Sequence, residues 1–280
     1  MVCFGFLKRL RGAVLAVLLL PIAAAAEAGE IYSDLAYGEH ERQRIDVYLP
    51  EAPENAPVIF MVHGGGWAIG SKTSRNVVGA KAEHWLAEGY IFISAGYRLI
   101  PDADPLQQAA DLARALAFAQ NAAGSWGGDP RRFVLMGHSA GAHLVTLLSA
   151  EPRSAEAAGA RPWLATVALD SGAYDVVEIM EARHFRLYDR AFGEDPAYWR
   201  AASPTLVMEQ APPPMLMVCS SRRAIACDQA EAFAGRARAL GGRAEVLPVD
   251  LSHGDVNAEL GDDRDYTASV DAFLHSLGLP

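Results

Sequence analysis

The chain has 280 residues, enough for one large domain with a substantial apolar core. Hydrophobic residues make up 51% of it and charged residues 21%, a balance that excludes an intrinsically disordered chain. The formal net charge of -10 excludes a nucleic-acid-binding footprint, which needs clustered lysines and arginines, so we interpret the acidity as favouring solubility.

Residues 1–28 have the pattern of a secretory signal peptide. Three basic residues precede an apolar run at 12–20, and small residues follow it. The run is shorter than the roughly 20 apolar residues of a membrane span. We predict cleavage after Ala26 or Ala28, export to the periplasm or the medium, and no stable membrane association afterwards. Retention as an N-terminal anchor is the alternative.

From residue 29 onward the pattern predicts one domain in which strands and helices alternate. Alternating or wholly apolar runs predict strands at 45–49, 58–62, 91–95, 132–136, 164–169, 215–219 and 244–249. Helical periodicity with glycine or proline boundaries predicts helices at 80–88, 105–121, 142–150, 228–240 and 266–277. This alternation predicts a doubly wound, mostly parallel α/β sheet, whose active residues gather at the carboxyl ends of its strands.

An irregular segment at about 174–206 interrupts the alternation. It is rich in aromatic residues and in charges of both signs, and we interpret it as a short cap-like insertion over one face of the sheet. Its length suggests a modest cover.

A predicted strand, the sequence Gly137-His138-Ser139-Ala140-Gly141 and a predicted helix follow one another directly. In this context Gly-x-Ser-x-Gly is typical of a nucleophile elbow, where strand and helix come so close that the flanking positions must lack side chains. We predict that Ser139 is a nucleophile rather than a helix N-cap. A serine hydroxyl needs a base within hydrogen-bonding distance to act in this way.

His253 is the predicted base. In this arrangement the base follows the nucleophile and the acid along the chain. After the elbow helix only His184, His253 and His275 remain, and His253 alone lies in a loop directly after the last strand.

The glycine-rich sequence His63-Gly64-Gly65-Gly66-Trp67 follows a central strand. Acyl transfer develops an oxyanion that fixed backbone amides stabilise well. We predict that the amides of Gly65, Gly66 and Ala140 form the oxyanion hole. A phosphate-binding loop is the less favoured alternative, because the lysine of a nucleotide-binding loop is missing.

The predicted acid is Asp228, the only carboxylate in the loop after the strand at 215–219. An Asp is expected three to five residues after that strand, where Arg222, Arg223 and Ala224 stand instead. Asp228 could equally cap the following helix, with Glu231 completing a capping box.

Alternatives for the acid remain open. Asp170, at the end of the preceding strand, is the main one; Asp175, Asp250 or no acid at all are the others.

Cys219 and Cys227 remain after signal cleavage. In an oxidising compartment they could form a disulfide, and two free thiols are the alternative. Their spacing does not indicate a zinc site, and no metal is predicted.

Three blocks together resemble a known family: the glycine loop at 63–67, Tyr97-Arg98-Leu99, and the elbow at 137–141. They are similar to α/β-hydrolases of the esterase and lipase group, in the hormone-sensitive-lipase-like and feruloyl-esterase-like branches. The resemblance implies hydrolysis of small-molecule carboxylic esters through an acyl-enzyme, without metal or organic cofactor. It also implies the same three oxyanion-hole residues.

Two other functions stay open beside esterase activity. The first is an arylformamidase-type amide hydrolase, which would use the same residues. The second is a catalytically disabled hydrolase-fold protein that only binds, suggested by the arginines in the acid loop.

Overall fold

The structure, a computed structural model, describes Met1, residues 29–262 and residues 264–280. The predicted signal peptide therefore falls outside the described residues, apart from Met1. Within the described part, no helix is both long and apolar enough to cross a membrane.

One eight-stranded sheet organises the described part of the chain. Its strands are β1 (Ile31–Ala36), β2 (Arg44–Tyr48), β3 (Ala56–Val62), β4 (Ile91–Ala95), β5 (Gly128–His138), β6 (Ala165–Leu169), β7 (Met215–Ser220) and β8 (Ala244–Val249). They lie in the order β1-β2-β4-β3-β5-β6-β7-β8. β2 pairs antiparallel with β1 and β4, and all other pairs are parallel. The predicted mostly parallel sheet is confirmed.

The helices lie along both faces and over the carboxyl edge of the sheet. They are α1 (Arg75–Ala87), α2 (Pro105–Ala122), α3 (Ala140–Ala150), α4 (Arg153–Ala157), α5 (Val176–Glu181), α6 (Arg186–Phe192), α7 (Pro196–Ala201), α8 (Pro204–Val207), α9 (Ala224–Ala239), α10 (His253–Ala258) and α11 (Arg264–His275).

Strand β3 is buried along its whole length, and its side chains alternate between two apolar cores. Val58, Phe60 and Val62 face the core that includes residues of α2 and α3. Ile59 and Met61 face the core on the other side, which includes residues of α1 and α11. A strand covered on both faces needs apolar side chains at every position, which is why β3 reads as a continuous apolar run.

The described elements depart from the sequence prediction in several places. α1 and β5 begin at Arg75 and Gly128, five and four residues before their predicted starts. Strand β1 was missed because it is an edge strand with mostly exposed side chains, so it lacks the apolar alternation of a half-buried strand. α9 begins at Ala224, four residues before the predicted start. His253 is the first residue of the short helix α10 rather than part of an open loop.

The cap-like insertion consists of four short helices, α5 to α8. Phe185, Leu187 and Tyr188 from its α6 region reach the cavity at the carboxyl edge of the sheet. The insertion therefore supplies part of the lining of this cavity.

Candidate active site

Ser139 lies at a sharp turn between β5 and α3. Its backbone has φ 56° and ψ -116°, a left-handed conformation that costs free energy for a residue with a side chain. Its side chain makes no capping hydrogen bond to α3, so it is not the ordinary N-cap that the pattern also allowed. A Cβ on Gly137 would lie 2.5 Å from the Gly141 carbonyl oxygen, and one on Gly141 would lie 2.3 Å from the Val62 carbonyl oxygen. Both glycines are therefore required by the close approach of strand and helix.

His253 connects Ser139 to a carboxylate. Its Nε2 lies 3.0 Å from Ser139 Oγ, and its Nδ1 lies 2.6 Å from Asp170 Oδ2. With the imidazole proton on Nδ1, the ring donates to Asp170 and leaves Nε2 free to accept the serine proton. The three side chains therefore have the geometry of a Ser-His-Asp triad.

Asp170 follows β6 directly and turns into the site with φ 51°. Its side chain is fully buried, and its Oδ1 accepts the backbone N–H of Ser220 at 2.9 Å. Burial alone would raise the pKa of Asp170. Hydrogen bonds from His253 and Ser220, together with the charge of Arg223, outweigh burial and hold that pKa below its ordinary value. Asp170 is thus held as a carboxylate.

The prediction of Asp228 as the acid is wrong. Asp228 is an exposed residue inside α9, because that helix begins at Ala224 and its N-cap is Arg223. The proposed capping box is not formed either, since Glu231 pairs with Arg238 instead.

The other open candidates for the acid lie elsewhere. Asp175 caps α5 by accepting the N–H of Glu178, and Asp250 forms an exposed ion pair with Arg222. The remaining late histidines are also placed apart: His184 pairs with Asp189, and His275 ends α11.

The glycine loop lines the cavity and contains backbone amides without an acceptor among the described residues. The Gly65 carbonyl accepts the amides of Ala68 at 3.2 Å and Ile69 at 3.0 Å, which closes a tight turn. In the described part of the chain, no acceptor takes the amide hydrogens of Gly65 or Gly66. Ala140 is the first residue of α3, so its amide has no acceptor within the helix. All three residues line the cavity, as an oxyanion hole requires.

Trp67 anchors the end of this loop. Its carbonyl accepts the amide of Ile100 at 2.9 Å and the Gln108 side chain at 2.8 Å. Its indole N–H donates to His143 Nδ1 at 3.2 Å, and His143 Nε2–H then donates to the Ala202 carbonyl at 2.8 Å. These bonds connect the glycine loop to α2, to the elbow helix α3 and to the cap.

The second block of the resemblance, at 97–99, has a structural role. Tyr97 stacks on His63 and donates its hydroxyl to the His63 carbonyl at 2.8 Å, which holds the start of the glycine loop. Arg98 makes two side-chain bonds to the fully buried Asp111, at 2.7 and 2.8 Å.

His138 supports the base, a role that the sequence did not indicate. Its Nε2 donates to the His253 carbonyl at 2.8 Å, and the two rings pack with centroids 4.6 Å apart. Burial lowers the pKa of His138 to about 3, so it is neutral at neutral pH. The structure places it as a fixed donor that positions the backbone of His253.

Arg223 and a disulfide occupy the loop where the acid was expected. Arg223 Nη1 lies 2.6 Å from Asp170 Oδ2 and 2.7 Å from His253 Nδ1. Cys219, at the end of β7, and Cys227, in α9, form a disulfide that encloses this arginine in a short loop. The structure thus decides the open question of the two cysteines in favour of the pair.

A cavity of about 570 Å³ lies above Ser139. It is lined by the glycine loop, by residues of α1 and by Gly172, Tyr188 and Arg223. The volume fits a small ester. In the described residues, no group of three or more His, Cys, Asp or Glu side chains could hold a metal ion.

A family model, BD-FAE, matches residues 45–236, which include the glycine loop, Ser139, Asp170 and Arg223. The match ends before His253.

Curated relatives are esterases by name. Isoprenylcysteine alpha-carbonyl methylesterase ICME of Arabidopsis thaliana is 30% identical over 254 residues, covering 81% of this chain and 57% of that protein. Esterase LipC of Mycobacterium tuberculosis is 28% identical over 233 residues, covering 77% of this chain and 57% of that protein. The chain spans about half the length of the curated relatives it matches.

Solved structures share the fold. A truncated carbohydrate esterase from gut microbiota superposes with a TM-score of 0.76 at 16% identity, covering 90% of this chain and 97% of that chain. Esterase B from Lactobacillus Rhamnosis has a TM-score of 0.72 at 20% identity, covering 91% of this chain and 88% of that chain. These similarities establish the α/β-hydrolase architecture.

Proposed function

Because the chain belongs to the BD-FAE family, we propose that it is a serine carboxylesterase, which hydrolyses small carboxylic esters through an acyl-enzyme. The supporting observation is the hydrogen-bonded series from Ser139 through His253 to Asp170, with spacings of 3.0 and 2.6 Å. It lies beside free amides that can hold an oxyanion.

In the first half-reaction Ser139 Oγ attacks the ester carbonyl carbon, and its proton passes to His253 Nε2. The oxyanion accepts hydrogen bonds from the amides of Gly65, Gly66 and Ala140. Asp170 stabilises the imidazolium that forms. The tetrahedral intermediate collapses, the ester C–O bond breaks, and the imidazolium gives its proton to the leaving alcohol.

In the second half-reaction water takes the place of the alcohol. His253 Nε2 removes a proton from this water, whose oxygen attacks the acyl-enzyme carbonyl. The bond to Ser139 Oγ then breaks, and His253 returns the proton to Ser139. The carboxylic acid product leaves, and the site is restored.

Removal of the nucleophile tests this proposal. We expect Ser139→Ala to lower kcat for p-nitrophenyl acetate by several orders of magnitude, roughly 10⁵-fold or more. Its melting temperature should be unchanged or higher, because alanine keeps the helix junction intact. The exposed Ser221→Ala is the control and should retain wild-type turnover. Turnover in Ser139→Ala equal to wild type would exclude Ser139 as nucleophile.

The alternative of a disabled, purely binding hydrolase rests on Arg222 and Arg223, which stand where an acid is expected after β7. Asp170 occupies the position that such an acid would need, at 2.6 Å from His253. A fluorophosphonate probe provides a direct check: it should label wild-type protein at Ser139, as mapped by mass spectrometry, and should fail to label Ser139→Ala.

We also propose that the chain is exported to the periplasm or secreted. The basic and apolar pattern of residues 1–28 supports this, as does the Cys219–Cys227 disulfide, since disulfides persist in oxidising compartments. The intact mass of protein recovered from the exported fraction should correspond to a chain beginning at Glu27 or Gly29. Recovery only from the cytoplasm, at full length, would contradict export.

A further inference from the structure

Arg223 forms hydrogen bonds through only one of its three guanidinium nitrogens, as far as the described residues show. Its Nη1 contacts Asp170 and His253, as described above. Its Nε and Nη2 have no hydrogen-bond partner among the residues that the structure describes. The side chain is 29% exposed and lines the cavity, whereas the side chain of Asp170 is fully buried. The ion pair therefore turns its positive end toward the cavity.

Tyr188 brings a second free polar group to the same place. A Cβ on Gly172 would lie 3.8 Å from both Arg223 Nη2 and the Tyr188 hydroxyl, so the two groups flank this glycine. The Tyr188 hydroxyl also has no hydrogen-bond partner in the described part of the chain. Gly172 has no side chain that could cover either group. A planar ligand group placed over Gly172 can thus accept hydrogen bonds from the Arg223 Nη2–H and the Tyr188 O–H at the same time.

Arg223 differs in charge from the other residues that line this cavity. Among the described residues that line it, Arg223 is the only lysine or arginine. The cap residues Phe185 and Leu187, which line the same cavity, are apolar and satisfy neither free donor. A carboxylate suits such a donor set best, because a guanidinium and a carboxylate form charge-assisted hydrogen bonds that are stronger than neutral ones. The protein as a whole carries a formal charge of -10, which repels anions, and the positive charge of Arg223 opposes this repulsion locally.

We propose that Arg223 and Tyr188 form a specificity subsite for esters that carry a carboxylate group near the scissile bond. The proposal rests on the esterase function above and names its substrate class. The carboxylate accepts from Arg223 Nη2 and from the Tyr188 hydroxyl over Gly172, while Nη1 stays on Asp170. Binding there holds the ester carbonyl next to Ser139.

Two matched pairs of esters test the proposal, with the whole protein as the enzyme. The acyl part of monomethyl succinate ends in a carboxylate, and methyl isocaproate has an isopropyl group in its place. Acetoxyacetate and isobutyl acetate differ in the same way on the alcohol part. For each pair we measure kcat/KM and form the ratio of the charged to the neutral ester. A change that affects the triad alone alters both esters alike and cancels in this ratio.

We expect Arg223→Gln to lower the ratio by about tenfold or more for at least one pair, because a charge-assisted hydrogen bond is lost. Arg223→Lys should retain part of the preference, and Tyr188→Phe should lower the ratio by about threefold or more. Arg222→Gln is the matched control: this neighbouring arginine pairs with Asp250 at the surface, and its ratio should equal that of wild type.

The outcomes separate the subsite from the esterase function. Ratios that stay at the wild-type value in both Arg223→Gln and Tyr188→Phe, for both ester pairs, would overturn the subsite. If Arg223→Gln does not fold, the Tyr188→Phe ratio alone decides, since Tyr188 does not contact the triad by hydrogen bonding. The esterase proposal fails by a different result, which is p-nitrophenyl acetate turnover that persists in Ser139→Ala.

Discussion

Asp170 Oδ2 lies 2.6 Å from His253 Nδ1, although the two residues are 83 positions apart in the chain. Asp170 comes from the end of β6, whereas the sequence pattern pointed to the end of the neighbouring β7. β6 and β7 are parallel and adjacent, so their carboxyl ends meet at the same edge of the sheet. A carboxylate from either strand can reach the same imidazole there. Arg223 stands after β7, where the acid was expected, and it binds the carboxylate of Asp170.

The first prediction concerns this acid. Asp170→Asn should lower kcat for p-nitrophenyl acetate by roughly 10³- to 10⁴-fold, because an amide does not hold the imidazole in the tautomer that accepts the serine proton. Asp228→Asn, the matched control in α9, should retain wild-type kcat, since its side chain is exposed and remote from the triad contacts. Steady-state kinetics on both variants measures this. The reverse result, with Asp228→Asn impaired and Asp170→Asn active, would restore the sequence-based assignment.

The second prediction concerns acid stability. Burial lowers the pKa of His63 and of His143 to about 4 and that of His138 to about 3. In the unfolded chain these imidazoles have a pKa of about 6.5. Between about pH 6.5 and pH 4 the unfolded state therefore binds up to three more protons than the folded state. The free energy of unfolding should fall as the pH falls through this window, by at most about 4 kcal/mol per pH unit from these groups.

Urea unfolding at about pH 7, 6 and 5 measures this slope. His143→Gln should reduce it by about one proton, because glutamine can still accept from Trp67 and donate to Ala202 without titrating. An unfolding free energy that stays constant from pH 7 to pH 5 would show that these histidines are not buried in neutral form.

The third prediction concerns the disulfide. Cys219 and Cys227 are eight residues apart, and closing so short a loop restricts the unfolded chain. The chain-entropy estimate for a loop of this size is about 2 to 3 kcal/mol of stability. The double variant Cys219→Ala/Cys227→Ala should be less stable than wild type by about this amount in urea unfolding.

Reductant provides the control for this loss. It should lower the stability of wild type toward that of the double variant and should leave the double variant unchanged. Equal stability of oxidised wild type and the double variant would mean that the disulfide contributes nothing measurable.

Local rules were enough to locate Ser139, His253 and the glycine loop. The elbow needs glycine on both sides of the serine because strand and helix approach within contact distance, and this steric demand is visible in five consecutive residues. Strand β3 is a continuous apolar run in the sequence because helices cover both faces of the sheet at this strand. His253 could be chosen from three late histidines because only one directly follows the last strand.

Only the tertiary structure decided which carboxylate contacts His253 and which groups Arg223 contacts. Sequence order cannot show which of two adjacent strand ends supplies a carboxylate to an imidazole, because both ends lie at the same edge of the sheet. Asp228 looked suitable only while α9 was expected to begin at residue 228; the helix begins at Ala224, and Asp228 lies exposed within it. The sequence by itself located Ser139, His253 and the glycine loop, since each depends on short-range geometry. The acid depends on contacts between distant segments, which exist only in the folded sheet.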